Sequence, residues 1–122
     1  VSGVFVKRIY DPVEETDGSR ILVDRLWPRG IKKAEAELTY WYKEIAPSNE
    51  LRKWFGHKPD RFEEFRQRYI EELMGDEQKL LKIEEIKRFT STQNVTLLYS
   101  AKNQEFNNAV VLRDVIMQTI NR

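Results

Sequence analysis

The apolar positions of this chain alternate between short runs and helical stripes. Val4 to Ile9 is apolar at alternate or adjacent positions and rich in β-branched residues, which predicts a strand. Asp11-Pro12 ends it, and Asp17-Gly18 is a turn signal. Ile21-Leu22-Val23 is a continuous apolar run, as expected for a strand buried on both faces. Pro28 and Gly30 then break regularity, and residues 34–45 carry a weak helical pattern. Ser48 can cap a short helix that turns Leu51, Trp54 and Phe55 inward and stops near Gly56. Pro59 suits the first position of the next helix, along which Phe62, Phe65, Tyr69 and Leu73 keep helical spacing up to Gly75. Asp76 can cap a third, carrying Leu80, Ile83 and Ile86. Val95 to Tyr99 is the clearest buried strand. After it, Asn103 is placed to cap a last helix with Phe106, Ala109, Val110, Ile116, Met117 and Ile120 as its inner stripe.

Strands and helices thus alternate, with helices in excess. The expected fold is α/β: a small, mostly parallel sheet of about three strands flanked by helices. With 122 residues the chain fits one domain, 1–122, and shows no internal repeat or linker. About ten residues separate the first two strands, near the minimum for a parallel crossover, so spacing alone leaves their relative direction open.

Composition narrows the chemistry. Charged residues make up 34% of the chain, above the usual value of about 25%, yet the signs are interspersed and leave a net charge of +1. That describes a salt-bridged surface rather than a nucleic-acid-gripping tail. Cysteine is absent, which excludes disulfides, thiolate nucleophiles and CxxC sites. The one histidine, His57, excludes a His-rich zinc site within one chain. Phosphate-loop and dinucleotide glycine patterns are missing, and no carboxylate spacing calls for a metal or cofactor. No apolar run reaches the ~18 residues of a membrane span, and no basic-then-apolar leader is visible, so the reading expects a cytoplasmic protein. The oligomeric state is not legible.

In open α/β sheets ligands bind beyond the carboxyl ends of the strands. Two chemically rich segments fall there: Asp24 to Gly30 after the second strand and Tyr99 to Asn103 after the third. Arg25 and Arg29 offer forks that match phosphate or carboxylate oxygens, and Trp27 offers a ring to stack on. Lys102 and the expected helix start behind it add positive charge, and Asn107 can point into the same space. These residues make an anion pocket. Against this, Arg25 can simply pair with Asp24 or another carboxylate, and Trp27 can be ordinary core. His57 and Tyr99 are the candidate proton carriers, although His57 has no partner visible in sequence and such residues often cap a carbonyl. A second reading takes Arg52, Lys53 and Trp54 as a nucleic-acid surface, against an amphipathic helix with solvated charges. A third is a scaffold that binds a protein partner and no small ligand.

Three ordered blocks carry a family resemblance. They are Leu22-Val23-Asp24-Arg25-Leu26-Trp27-Pro28-Arg29-Gly30; Ile45-Ala46-Pro47-Ser48 with Glu50 to His57 and Pro59; and Thr96 to Lys102 with Asn107 to Leu112. Over nearly its whole length the chain resembles the YeaO-like branch of domain of unknown function 488. The resemblance implies a small bacterial or archaeal cytosolic α/β protein and no established activity. More distant members carry a helix between the first two strands, which implies a parallel crossover, abbreviated here, and puts the Arg25 loop and Lys102 on one edge. Relatives commonly have histidine where this chain has Phe106, and that departure argues against essential acid-base chemistry at that position.

Overall fold

A computed structural model describes residues 3–120, the side chain of Ile120 excepted. Four strands, β1 (Val4–Arg8), β2 (Ser19–Leu22), β3 (Tyr40–Trp41) and β4 (Val95–Tyr99), form a sheet of order β1-β4-β2-β3 in which every pairing is parallel. The two central strands, β2 and β4, are buried at every position; β2 holds Ile21 and Leu22 of the expected apolar run but begins at the buried polar pair Ser19 and Arg20. The edge strand β1 is only partly covered, and Phe5 stands 51% exposed on it.

Because side chains alternate across a strand, the sheet has two differently dressed faces. Val4, Ile21, Val23, Val95, Leu97 and Tyr99 turn to the side of the four longer helices. There they meet Leu51 and Phe55 of α2 (Asn49–Phe55), Phe65, Tyr69 and Leu73 of α3 (Phe62–Met74) and Ile83 and Ile86 of α4 (Glu77–Phe89). From α5 (Asn108–Ile120) come Ala109, Val111, Leu112, Val115 and Ile116. The opposite face is thinner. Ile9, Leu22 and Leu98 are covered there by Ala36 of the single-turn helix α1 (Lys33–Ala36) and by Trp27, Ile31, Leu38 and Trp41 from the flanking loops.

Beside this small cluster the second face is polar. Arg20, 3% exposed, donates to Asp17 Oδ2 at 2.6 Å and through Nε and Nη2 to the Ala36 carbonyl at 3.1 and 2.9 Å. Lys7 bridges Asp17 and Glu14. Thr96 Oγ1 donates to the Asp17 carbonyl at 2.7 Å. This network ties the crossover after β1 to both central strands.

Several expectations hold. Ser48 caps α2 by accepting from the Leu51 amide at 3.1 Å, and Gly56 closes that helix in the left-handed region. Pro59 opens a single 3₁₀ turn leading into α3, and Asp76 Oδ1 accepts from the amides of Gln78 and Lys79 to cap α4. Others need correction. Residues 34–45 are not one helix: α1 ends at Ala36, Glu37 takes a left-handed φ of 46°, and the next segment joins the sheet as β3, the fourth strand. Thr39-Tyr40-Trp41-Tyr42 is a run of strand formers that signals this. Leu80 is 37% exposed and contributes little to the face of α4. The last helix starts at Asn108. Asn103 instead caps a turn, accepting from the Glu105 and Phe106 amides at 2.9 Å each, while Asn107 Oδ1 accepts from Val110 N at 3.0 Å as the helix cap. The buried stripe of α5 therefore includes Val111, Leu112 and Val115, which the expected stripe missed; Val110 is half-buried, and the Ile120 side chain lies outside the described residues.

Candidate functional site

All four strands run the same way, so the loops after β2 and β4 leave from one edge of the sheet, and a cleft of about 320 Å³ opens there. Its walls come from the loop after β2, from α2 and the turn behind it, and from the segment between β4 and α5.

The first loop is held by its own backbone carbonyls. Trp41 Nε1 donates to the Asp24 carbonyl at 2.8 Å, Trp27 Nε1 to the Ile31 carbonyl at 2.7 Å, and the Tyr10 hydroxyl to the Arg29 carbonyl at 2.9 Å. The Trp27 ring also meets Trp41 edge-on, with centroids 5.3 Å apart. Trp27 therefore does both things asked of it: it packs the small cluster and it walls the cleft.

The two arginines of this loop differ. Arg25 donates through Nε to the Pro47 carbonyl at 3.0 Å, so its guanidinium ties the loop to the start of α2 while lining the cleft. It pairs with no carboxylate among the described residues, and the alternative of an Asp24 partner is set aside. Arg29 has a fixed backbone and an exposed side chain on the cleft.

Arg52 of α2 joins them. Its Nη2 donates to Asn49 Oδ1 at 3.1 Å, but its buried Nε has no acceptor among the described residues. A buried donor without a partner is uncommon in folded proteins. His57 lines the same cleft from the turn after α2, with a left-handed φ of 58°. Neither Arg29, Arg52 nor His57 forms a salt bridge among the described residues.

On the other wall, Asn107 is 1% exposed; besides capping α5 it donates to the Asn103 carbonyl at 3.0 Å. Asn108 also lines the cleft and donates to the Val23 carbonyl at 3.0 Å and to Asp24 Oδ1 at 3.2 Å. Asp24 is the residue that sequence reasoning passed over except as a partner for Arg25. Its Oδ2 accepts from Ser100 N at 2.9 Å and Ser100 Oγ at 2.7 Å. Burial pushes its carboxyl above the usual range, against the opposing pull of Ser100, Asn108 and the nearby His57. Its position at the end of a buried strand was the available signal.

Two of the expected residues stand apart. Lys102 is exposed and is not part of the cleft wall, and no helix begins directly behind it. Tyr99 is 2% exposed and sits in the main core rather than on the cleft; burial and the charge of Asp11 hold its hydroxyl above the usual tyrosine range. Phe106 packs on Phe62 with ring centroids 5.0 Å apart, at the margin of the main core.

The basic and aromatic segment of α2 does not present a stacking platform. The Trp54 ring is covered by the guanidinium groups of Arg68 and Arg61, 4.5 and 5.2 Å from its centre. Among the described residues no group of three or more histidines and carboxylates is gathered for a metal, and no helix is long and apolar enough to cross a membrane.

Comparison with known proteins gives a consistent picture. A family described as "Inactive DUF488-N3 subclade" matches residues 3–122. The protein named "Uncharacterized protein YeaO" of Escherichia coli (strain K12) is 52% identical over 108 residues, covering 88% of this chain and 91% of its own. "Uncharacterized protein Mb3100c" of Mycobacterium bovis and "Uncharacterized protein Rv3073c" of Mycobacterium tuberculosis are each 38% identical over 113 residues, covering 93% of this chain and 92% of their own. No solved structure matches the chain. The chain belongs to the YeaO-like branch of the DUF488 family, within the subclade described as inactive.

Proposed function

We propose that this protein binds a small phosphate-like anion, alone or as part of a larger ligand, in the cleft at the carboxyl edge of its sheet. One observation carries the reading. Three guanidinium groups, Arg25, Arg29 and Arg52, and the imidazole of His57 line one cleft in which Asp24 is the single carboxylate among the described residues. The exposed fork of Arg29 and the guanidinium of Arg52, neither of them in a salt bridge among the described residues, are the donors the cleft wall offers to an anion. Arg25 fixes the loop and adds its field, Trp27 forms a wall, Asn107 holds the start of α5, and Lys102 contributes only long-range charge. The volume, near the lower end of small-molecule sites, suits a compact ligand rather than a polymer.

The role is binding without turnover. The family description as inactive supports this, and so does phenylalanine at position 106, where the resemblance to the family implies a histidine. Of the two expected proton carriers, His57 lines the cleft and Tyr99 does not.

Thermal unfolding tests the reading, with phosphate, sulfate and phosphate esters added to the wild type, Arg29→Ala and Arg52→Ala. An anion at about a hundred times its dissociation constant stabilises the fold by roughly 2.7 kcal/mol. Both variants are expected to lose most of that gain. No stabilisation of the wild type by any anion, or equal stabilisation of all three proteins, would remove the proposal.

A further inference from the structure

An acid in an anion site is costly, because it repels the ligand the surrounding cations attract. Asp24 nevertheless lines the cleft among its arginines, held in a fixed orientation by the Ser100 amide and hydroxyl on Oδ2 and by Asn108 on Oδ1. An ionised carboxylate offers about four acceptor positions. These three bonds leave one position open, on Oδ1. The same cleft has an aromatic wall in the half-buried Trp27, which suits the face of a ring.

Building on the anion reading above, we propose that Asp24 is the specificity-determining residue of the cleft. Its open Oδ1 position accepts a hydrogen bond from an O–H or N–H of the ligand. The ligand is then a phosphate ester of a ring that bears such a donor, a sugar phosphate or a nucleoside monophosphate, in preference to a simple ester such as methyl phosphate whose alkyl group brings none. The arginines bind the phosphate, and Asp24 disfavours any anion that brings no donor to offset the repulsion. Specificity of this kind combines an attraction for the right ligand with a penalty for the wrong one.

The test is a calorimetric titration of the wild-type chain with inorganic phosphate, methyl phosphate, a ribose phosphate and a nucleoside monophosphate. A donor-bearing ester is expected to bind at least about tenfold more tightly than methyl phosphate, the worth of one hydrogen bond to a charged acceptor. Whether the ribose phosphate or the nucleotide gains more identifies the ring. In Asp24→Asn the side-chain carbonyl stays on the two Ser100 donors, so the amide nitrogen replaces Oδ1, the bond from Asn108 is lost and the open acceptor becomes a donor. The preference should then fall to within about threefold while methyl phosphate binds as well as before or better.

Equal binding of all four ligands to the wild type would overturn the role of Asp24 and leave the anion site standing. So would a preference that survives Asp24→Asn. If no anion binds at all, the anion reading fails and this inference fails with it. Should Asp24→Asn not fold, the ratio of methyl phosphate to ring ester on the wild type decides alone.

Discussion

Gly18 lies where the crossover from β1 enters β2, with φ 65° and ψ −132°, a conformation that side-chain-bearing residues avoid. A Cβ placed there would stand 2.0 Å from the Asn94 carbonyl oxygen, the acceptor that also receives the Ser19 amide at 2.9 Å. Gly30 has a similar φ of 76°, but a Cβ there meets nothing within 4 Å. Gly18→Ala is therefore expected to cost more than about 3 kcal/mol, and Gly30→Ala about 1 kcal/mol, in urea unfolding. Equal losses would mean that the close approach to Asn94 is not what constrains position 18. At this scale the sequence was read well for glycines and poorly for charges. Asp17-Gly18 announces a turn, but nothing local shows that Asp17 is buried beside Arg20. Asp24 and Arg25 look like a pair and turn apart, one toward Ser100 and Asn108, the other toward Pro47.

Three helices of this protein, α2, α4 and α5, begin at side-chain caps. Ser48 does two things at the start of α2: its oxygen accepts from Leu51 N, and its amide and hydroxyl donate to Glu72 of α3 at 2.9 and 2.6 Å. Ser48→Ala thus removes a cap and a tie between two helices, and should cost about 1–2 kcal/mol. Glu72→Ala removes the tie alone. A double-mutant cycle between the two should show coupling above about 0.5 kcal/mol; additive losses would reduce Ser48 to a simple cap. Where two cap-forming residues occur close together, the local signal is ambiguous. Asn103 and Asn107 are equally good candidates in sequence, and the helix begins at the second, where Ala109 and Leu112 can reach the core. Residues 34–45 failed for the opposite reason: α1 spans a single turn, and a two-residue strand such as β3 is defined by its neighbour β2 rather than by its own pattern.

Over the whole molecule, the polar network on the thinner face contributes to how the fold responds to acid. Burial alone would raise the Asp17 carboxyl, but the Glu14 amide, Lys7 and Arg20 more than offset it and hold it below the usual range. A carboxyl lower in the folded than in the unfolded chain contributes stability that is present above the unfolded value, about 3.9, and is lost as the pH falls through the folded one. Denaturant unfolding as a function of pH should show this loss in the wild type. Asp17→Asn should abolish that component, and at neutral pH it should cost about 3–5 kcal/mol by leaving Arg20 buried without its counter-charge. An unchanged acid profile in the variant would place the pH dependence elsewhere.

Local patterns in the sequence specify the α/β class, β4, the apolar part of β2, the caps of α2 and α4, and the family. These follow from local rules, namely continuous apolar runs, helical spacing, and cap residues at fixed offsets, and three ordered blocks of residues suffice for the resemblance. The sequence also placed Arg25, Trp27 and Arg29 at a strand end, where α/β sheets bind ligands. Tertiary structure decided the rest. The order β1-β4-β2-β3 and the uneven dressing of the two faces rest on the pairings of β4 with β1 and β2, between segments more than seventy residues apart, and on that of β2 with β3 across the α1 segment. The cleft adds Arg52 and His57 from α2 and its following turn and joins Asp24 to Ser100 and Asn108, while leaving Lys102 and Tyr99 outside its wall. A side chain's partner across the sheet depends on register and on which way each strand faces, and neither is encoded in the few residues around it.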